Sequence, residues 1–376
     1  MLYRTSHGRA ATVLAAALVL AGAGAAQAQS KPDIPRTPDG RPDLSGTYDL
    51  ATLTPLVRPA QYGDKQFLTE REANEIAEAE RARLALGAAH SDPNRDAPPE
   101  GGAPPVGLDE SFLESSGAGS VGGYNNFWID RGSGAFEIDG KFRTSIVFDP
   151  PNGQLPTMTP EGQKRMAQLF GEFRRANDGT AWWLDQEGPG PYDNPEQRPH
   201  AERCLLGFGS VSGPPMLPVL YNNMKKIVQT PDHVTILVEM NHDARVVRMN
   251  AEHLPPTVRK WMGDSVGRWE GDSLVVDTTN FTSNPGLFMA SEDLHVVEKF
   301  TRLDGDTLLY EFTVEDPKTW SKPWRGQYPW PASDDRVFEY ACHEGNYALG
   351  NIMRGARALE KEAIAAKGAP KKDAGE

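Results

Sequence analysis

Cysteine is nearly absent from this chain, with two in 376 residues, and positive charge is scarce, with 39 basic residues against 52 acidic ones. Two cysteines exclude a disulfide-dense mini-domain and the double Cys-x-x-Cys knuckle of a structural zinc site. The acidic excess repels nucleic acid and anionic lipid, so neither is an expected partner. Beyond the N-terminus no apolar run is long enough to span a bilayer, which argues against integral membrane association. The chain also has no His-Glu-x-x-His helix, no Gly-x-Ser-x-Gly elbow and no dinucleotide or P-loop fingerprint. Metal, serine-hydrolase and nucleotide chemistry therefore have no local motif behind them, and neither a cofactor nor a metal is expected.

The sustained apolar run that does occur is Ala10 to Gly22, after Arg4 and Arg9 and ahead of Ala26-Gln27-Ala28. This order matches a signal peptide over residues 1–28, cut after Ala28. No cysteine follows the site to take a lipid anchor, and no twin arginine precedes the core. Cleavage removes two positive charges, leaving 37 basic against 52 acidic residues. The expected location is periplasmic or secreted. In that oxidising setting Cys204 and Cys342 are expected to pair, the alternative being two separate buried thiols.

Periodicity divides the remainder. Residues 29–123 form an N-terminal extension, with a possible first strand near Gly46-Thr47-Tyr48, a helix opening at Thr69, and a long Gly/Pro-rich loop from Gly87 to Gly123. Residues 124–366 read as an antiparallel β domain, and 367–376 as a polar tail. Strand sequences are Asn126–Asp130, Lys141–Phe148, Lys225–Gln229, Val234–Met249, Ser273–Thr278, His295–Arg302, Thr307–Val314 and Arg336–Cys342. Glu270-Gly271-Asp272 and Asp304-Gly305-Asp306 are hairpin turns. Helices are expected over Pro160–Arg175 and Tyr347–Ala366. Strands this close leave no room for helical crossovers, so the fold class is mainly β: a large antiparallel meander forming a barrel or strongly curved sheet, with a few covering helices.

Two charged clusters interrupt strand-like sequence: His242-Asp243-Ala244-Arg245 and Cys342-His343-Glu344. Each sets an imidazole beside a carboxylate, a pairing suited to proton transfer. Period-two alternation over 234–248 puts His242 in an apolar row and Glu239, Asn241, Asp243 and Arg245 in a polar one. That polar row is either a solvated face or the lining of a lumen. His343 and Glu344 fall at a strand end beside a helix start, where Asn346 or Glu344 could equally be a cap. Eight tryptophans add aromatic surface. The stretch Trp320-Ser321-Lys322-Pro323-Trp324-Arg325 reads as a loop over a pocket mouth, and Tyr221-Asn222 offers hydrogen bonds ahead of a strand. Aromatic walls with sparse polar groups suit a small cyclic ligand.

Long motifs carry a family likeness: RTPDGRPDLSG (36–46), FDPPNGQLPTMTPEGQ (148–163), LPVLYNNMKKIVQTPDHVTILVEMNHDAR (217–245), WMGDSVGRWEGDSLVVDTTNF (261–281) and FEYACHEGNYALGNI (338–352). Through them the chain resembles a widespread family of exported bacterial proteins that is functionally uncharacterised. A weaker likeness, through Gly46-Thr47-Tyr48 opening the first strand, is to lipocalin-like barrels, which usually carry tryptophan where Tyr48 stands. The expected function is a cofactor-independent enzyme doing acid–base chemistry of lyase, hydratase or isomerase type on a small cyclic or aromatic substrate. His343 or His242 would carry the proton, Asp243 and Glu344 would be partner carboxylates, and Arg245 would stabilise an anion. Tyr221, Asn222, Glu239, Asn241 and Trp324 would bind substrate. The competing expectation is a non-catalytic carrier for an apolar small molecule.

Overall fold

The computed structural model describes residues 34–88, 129–174, 179–207, 209–287 and 289–368. The expected signal peptide, the loop 89–123 and the end of the tail lie outside them. Twelve strands and three helices occur among the described residues, in this order: β1 (Gly46–Asp49), α1 (Glu70–Gly87), β2 (Glu137–Ile138), β3 (Lys141–Phe142), β4 (Val147–Asp149), α2 (Pro160–Arg174), β5 (Met224–Gln229), β6 (His233–Val238), β7 (Ala244–Met249), β8 (Asp264–Glu270), β9 (Ser273–Thr279), β10 (His295–Arg302), β11 (Thr307–Glu315), β12 (Trp324–Pro331) and α3 (Tyr347–Gly368).

Ten strands form one strongly curled sheet in the order β1-β5-β6-β7-β8-β9-β10-β11-β12-β4, while β2 and β3 make a separate ribbon. Neighbours are antiparallel except β7 and β8, which meet in parallel at Arg248–Val266 and Met249–Gly267. The curl brings the first strand round to the last residues of β12: Tyr48 bridges Ala332, and the Ser333 amide donates to the Thr47 carbonyl at 2.9 Å. The mainly β, strongly curved architecture is therefore as the sequence implies. Helix α1 starts where expected, because Thr69 and Glu72 form a reciprocal cap: the Glu72 carboxylate accepts from the Thr69 amide at 2.8 Å and Thr69 Oγ1 accepts from the Glu72 amide at 3.3 Å.

Alternation along β10, β11 and β12 decides what fills the curl. Phe300, Leu308, Tyr310, Phe312, Trp324, Tyr328 and Trp330 all point inward and are almost fully buried. The rings meet edge-on, as Phe312 with Trp324 at 5.7 Å and Tyr310 with Tyr328 at 5.7 Å, the arrangement that ring quadrupoles favour. Gly326 stands opposite Phe312 in the ladder, and a Cβ there would sit 2.2 Å from the Phe312 ring. The glycine is what lets the ring lie across the strand.

Three expectations need correction. Residues 324–331 are a central strand, not a loop over a pocket: Trp320, Trp324 and Trp330 are 3%, 1% and 0% exposed. Proline is tolerated in β12 because Gln327 directs its amide to Ile146, away from β11, so Pro329 and Pro331 have their missing amides on that same side, beyond the β4 pairing. Val234–Met249 is two strands, β6 and β7, folded back on each other with Leu237 opposite Ala244. Arg336–Cys342 joins no ladder and runs as an extended segment held by side chains.

Candidate functional site

The turn between β6 and β7 holds the first charged cluster. Met240–His242 is a 3-10 turn in which Asn241 and His242 adopt φ of 61° and 54°. Asparagine and histidine are among the side chains that best tolerate this left-handed region, and they permit so tight a reversal. The reversal resets the alternation. Arg245 pairs with Ile236 and points inward with Val247, not along a polar row with Asp243.

Arg245 is consumed there. Its guanidinium forks the Glu298 carboxylate at 3.1 and 2.8 Å, and the two residues are 3% and 0% exposed. Tyr310 donates to Glu298 Oε1 at 2.7 Å and accepts from the Met216 amide at 2.9 Å, while Tyr328 donates to the Met216 carbonyl at 2.8 Å. Burial holds both tyrosine hydroxyls far above the usual phenol range. This is a polar knot within an aromatic core in which, among the described residues, Arg245 Nε alone makes no hydrogen bond, and Arg245 does not line the cleft that the two expected histidines reach.

Asp243 stays at the turn, half-buried. Burial pushes its carboxyl up, against the Ser212 hydroxyl and Gly207 amide that donate to it and the nearby Lys225 charge. Glu239 is 4% exposed and accepts from the Phe338 amide at 3.0 Å. His242 Nε2 accepts from the Tyr340 amide at 2.9 Å, so that nitrogen carries no proton in this arrangement. Tyr221 is half-buried and hydrogen-bonded to Tyr340, and burial pushes its hydroxyl up to about 12. Asn222 follows with φ 55°, leading into β5.

The second cluster is brought to the first by a strap, residues 333–346. Glu239 and His242 take two of its amides, and Cys342 is bonded to Cys204, with Cα atoms 5.7 Å apart. The expected disulfide is thus present. Beside it is a cleft of about 100 Å³ lined by Asn241, His242, Glu339, Tyr340, His343 and Glu344, room for a few waters or one small polar group. Both histidines therefore reach one cleft. They do so unequally: His242 is pinned, whereas His343 and Glu344 lie exposed on the turn into α3. Asn346 caps that helix, accepting from the Leu349 amide at 3.2 Å. Trp324 is remote from this cleft, packed in the core against Phe312 and Trp320.

Two groups escaped the reading of the sequence. Lys225 is fully buried on β5, opposite Tyr48 and Val238. Its only signal is a lysine at an inward position of an otherwise ordinary strand. The other group is a polar row outside the sheet: Asp277 on β9 lies between His295 Nε2 at 3.1 Å and His253 Nε2 at 3.0 Å, and His253 Nδ1 lies 3.2 Å from Asp264. Hydrogen bonding to Asp277 holds the His295 imidazole above its ordinary value, and the same contact lowers Asp277. Its members come from separate elements, so no local motif announces it. Among the described residues no group of three or more His, Cys, Asp or Glu side chains is arranged to hold a metal ion, and no helix is long and apolar enough to cross a membrane.

No protein-family model matches the chain, and neither a curated protein nor a solved structure does so.

Proposed function

We propose that the chain is an exported, cofactor-independent enzyme performing acid–base chemistry on a small cyclic or aromatic substrate at the β6–β7 turn. The observation that carries this reading is Asp243. It is half-buried, its carboxyl is raised by burial, and it is held by Ser212. A carboxyl raised by burial holds its proton more readily than an exposed one, which suits it to take and return a proton. Asp243 thus replaces His242 as the proton carrier, because His242 Nε2 is engaged by the strap. Tyr221 and Tyr340 supply an aromatic, hydroxyl-bearing wall against Val211, Val238 and Met240. His343 and Glu344 line the small cleft beside Asn241 and His242, the residues just before Asp243 in the chain. The disulfide supports export, since such bonds persist in oxidising compartments.

The carrier reading has less behind it. A carrier for apolar molecules needs a lumen, and the inward rows of β10–β12 are occupied by mutually packed aromatic rings and the Arg245–Glu298 pair. The test is a panel of small cyclic and aromatic hydroxy acids, ketones and alkenes in D₂O, followed for water addition or loss and for C–H exchange. The wild type is expected to turn over at least one class, with Asp243→Asn lowering the rate a hundredfold or more. Exchange that is equal in both proteins would remove Asp243 from the chemistry.

A further inference from the structure

Lys225 is the ionisable group that acid–base chemistry at Asp243 leaves without a task. It is 0% exposed, and among the described residues its Nζ makes no hydrogen bond. Buried ammonium groups are nearly always hydrogen-bonded, so one without such a bond, within electrostatic reach of Asp243, is out of the ordinary. Three carboxylates act on it from three elements: Glu239 at the end of β6, Asp49 at the end of β1, and Asp243 ahead of β7. Asp49 and Asp243 are themselves partly exposed. Glu239, the strongest of the three electrostatic partners, is also the residue that holds the strap at Phe338.

We propose that Lys225 is the reactive amine of this site and condenses with the carbonyl carbon of a small aldehyde or ketone. The proposal deepens the acid–base reading and rests on it. The neutral amine attacks the carbonyl carbon while the Asp243 carboxyl delivers its proton to the carbonyl oxygen, forming a carbinolamine. The nitrogen returns a proton to Asp243. The C–O bond then breaks, the oxygen leaves as water with that proton, and the nitrogen lone pair closes the C=N bond. One amine, one carbonyl and the Asp243 proton become one iminium and one water, Asp243 is left as the carboxylate, and no oxidant or reductant enters. The protonated iminium carries one positive charge, and Asp49, Glu239 and Asp243, whose charges act on Lys225, favour that charge where it forms. Burial also drives the lysine down to about 8, so a sizeable fraction of the amine is free base at neutral pH.

Lys226 is the internal standard for the test, an exposed lysine adjacent in the same strand. The mature full-length protein is treated at pH 7 with benzaldehyde and sodium cyanoborohydride, and labelling is mapped by peptide mass spectrometry. One arm contains a phosphine reductant that opens the disulfide and frees the strap. Labelling at Lys225 is expected to exceed that at Lys226 at least tenfold in one or both arms, and Lys225→Met abolishes the excess. Labelling of Lys226 equal to or greater than that of Lys225 in both arms overturns the proposal, since access has then been supplied without reaction. That failure is separable from failure of the acid–base reading. Loss of exchange in Asp243→Asn without Lys225 labelling removes the imine and leaves Asp243 standing.

Discussion

Arg245 and Lys225 are both buried cations inside one curled sheet, and they are treated in opposite ways. Arg245 has a bidentate carboxylate whose spare oxygen capacity is taken by Tyr310, and that tyrosine is in turn fixed by the backbone of Met216. Lys225 has three carboxylates nearby and a hydrogen bond to none. A planar guanidinium suits a closed knot because its fork matches a carboxylate, whereas an ammonium on a flexible stem changes protonation readily when buried. The first cation is built to stay charged and still. The second is left able to lose its proton.

The contrast can be broken most forcefully at Glu298. Glu298→Ala strands the Arg245 charge in the core and is expected to cost about 3–5 kcal/mol in urea unfolding. Pairing Arg245→Met with Glu298→Leu should recover most of that loss. A double variant as unstable as the single one would show that the pair is not the unit described. Next in size is the strap: Cys204→Ser opens a loop closed over 138 residues and should cost about 2–4 kcal/mol. Hydrogen exchange at the Phe338 and Tyr340 amides should quicken with it. Unchanged protection there would mean Glu239 and His242 hold the strap unaided.

Lys225→Met is expected to act with the opposite sign. A lysine driven from 10.5 to about 8 disfavours folding fully below pH 8, and the penalty fades as pH rises from 8 to 10.5. The net shift already contains the attraction to the carboxylates, so replacement should stabilise at pH 7 by up to about 3 kcal/mol. Wild-type melting temperature should climb through that pH window and the variant's should not. A destabilised variant would place Lys225 in the same class as Arg245.

The smallest effect belongs to the outer row. His295 is raised, so its contribution is full below about pH 6.5 and is lost as pH rises through its folded value. Asp277 is lowered, so its part is present above about pH 4 and is lost as pH falls through its own folded value. Both groups are partly exposed, and His295→Gln should cost no more than about 1 kcal/mol, largest between roughly pH 4 and 6.5 and fading on either side. A loss persisting at pH 8 would mean that packing, not charge, was removed.

Strand residues with clean alternation were readable directly, and His295–Arg302 has the expected bounds because each neighbour alternates inward and outward. What failed did so for local reasons. Sixteen residues of apolar and β-branched sequence from Val234 onward hid a hairpin, because Asn241 and His242 reverse the chain without a glycine or proline to mark the place. Residues 320–325 read as a loop because Pro323 is a breaker, yet β12 already opens at Trp324. Arg336–Cys342 had strand composition, but its amides went to the Glu239 and His242 side chains, a partnership that no one-dimensional pattern encodes. The disulfide was legible from cysteine count and expected compartment alone. Lys225 was not, since a buried lysine and an exposed one are the same letter, and only the register of β5 against β1 and β6 separates them.

The meeting of β1 with the end of β12 has a kinetic consequence. Tyr48 and Ala332 stand 284 positions apart, and β1 also pairs with β5 across a gap from Gly46 to Ile227. Such pairings carry high contact order, so the loop entropy of most of the chain is spent before they are rewarded. The hairpins from β8 to β12 can form from neighbours alone, but the strand that completes the curl is made first and used last. A ribosome-bound chain would thus hold β1 unpaired until Met224–Gln229 has emerged, and its other edge open until Trp324–Pro331 has followed, so the fold closes as a late, whole-chain event.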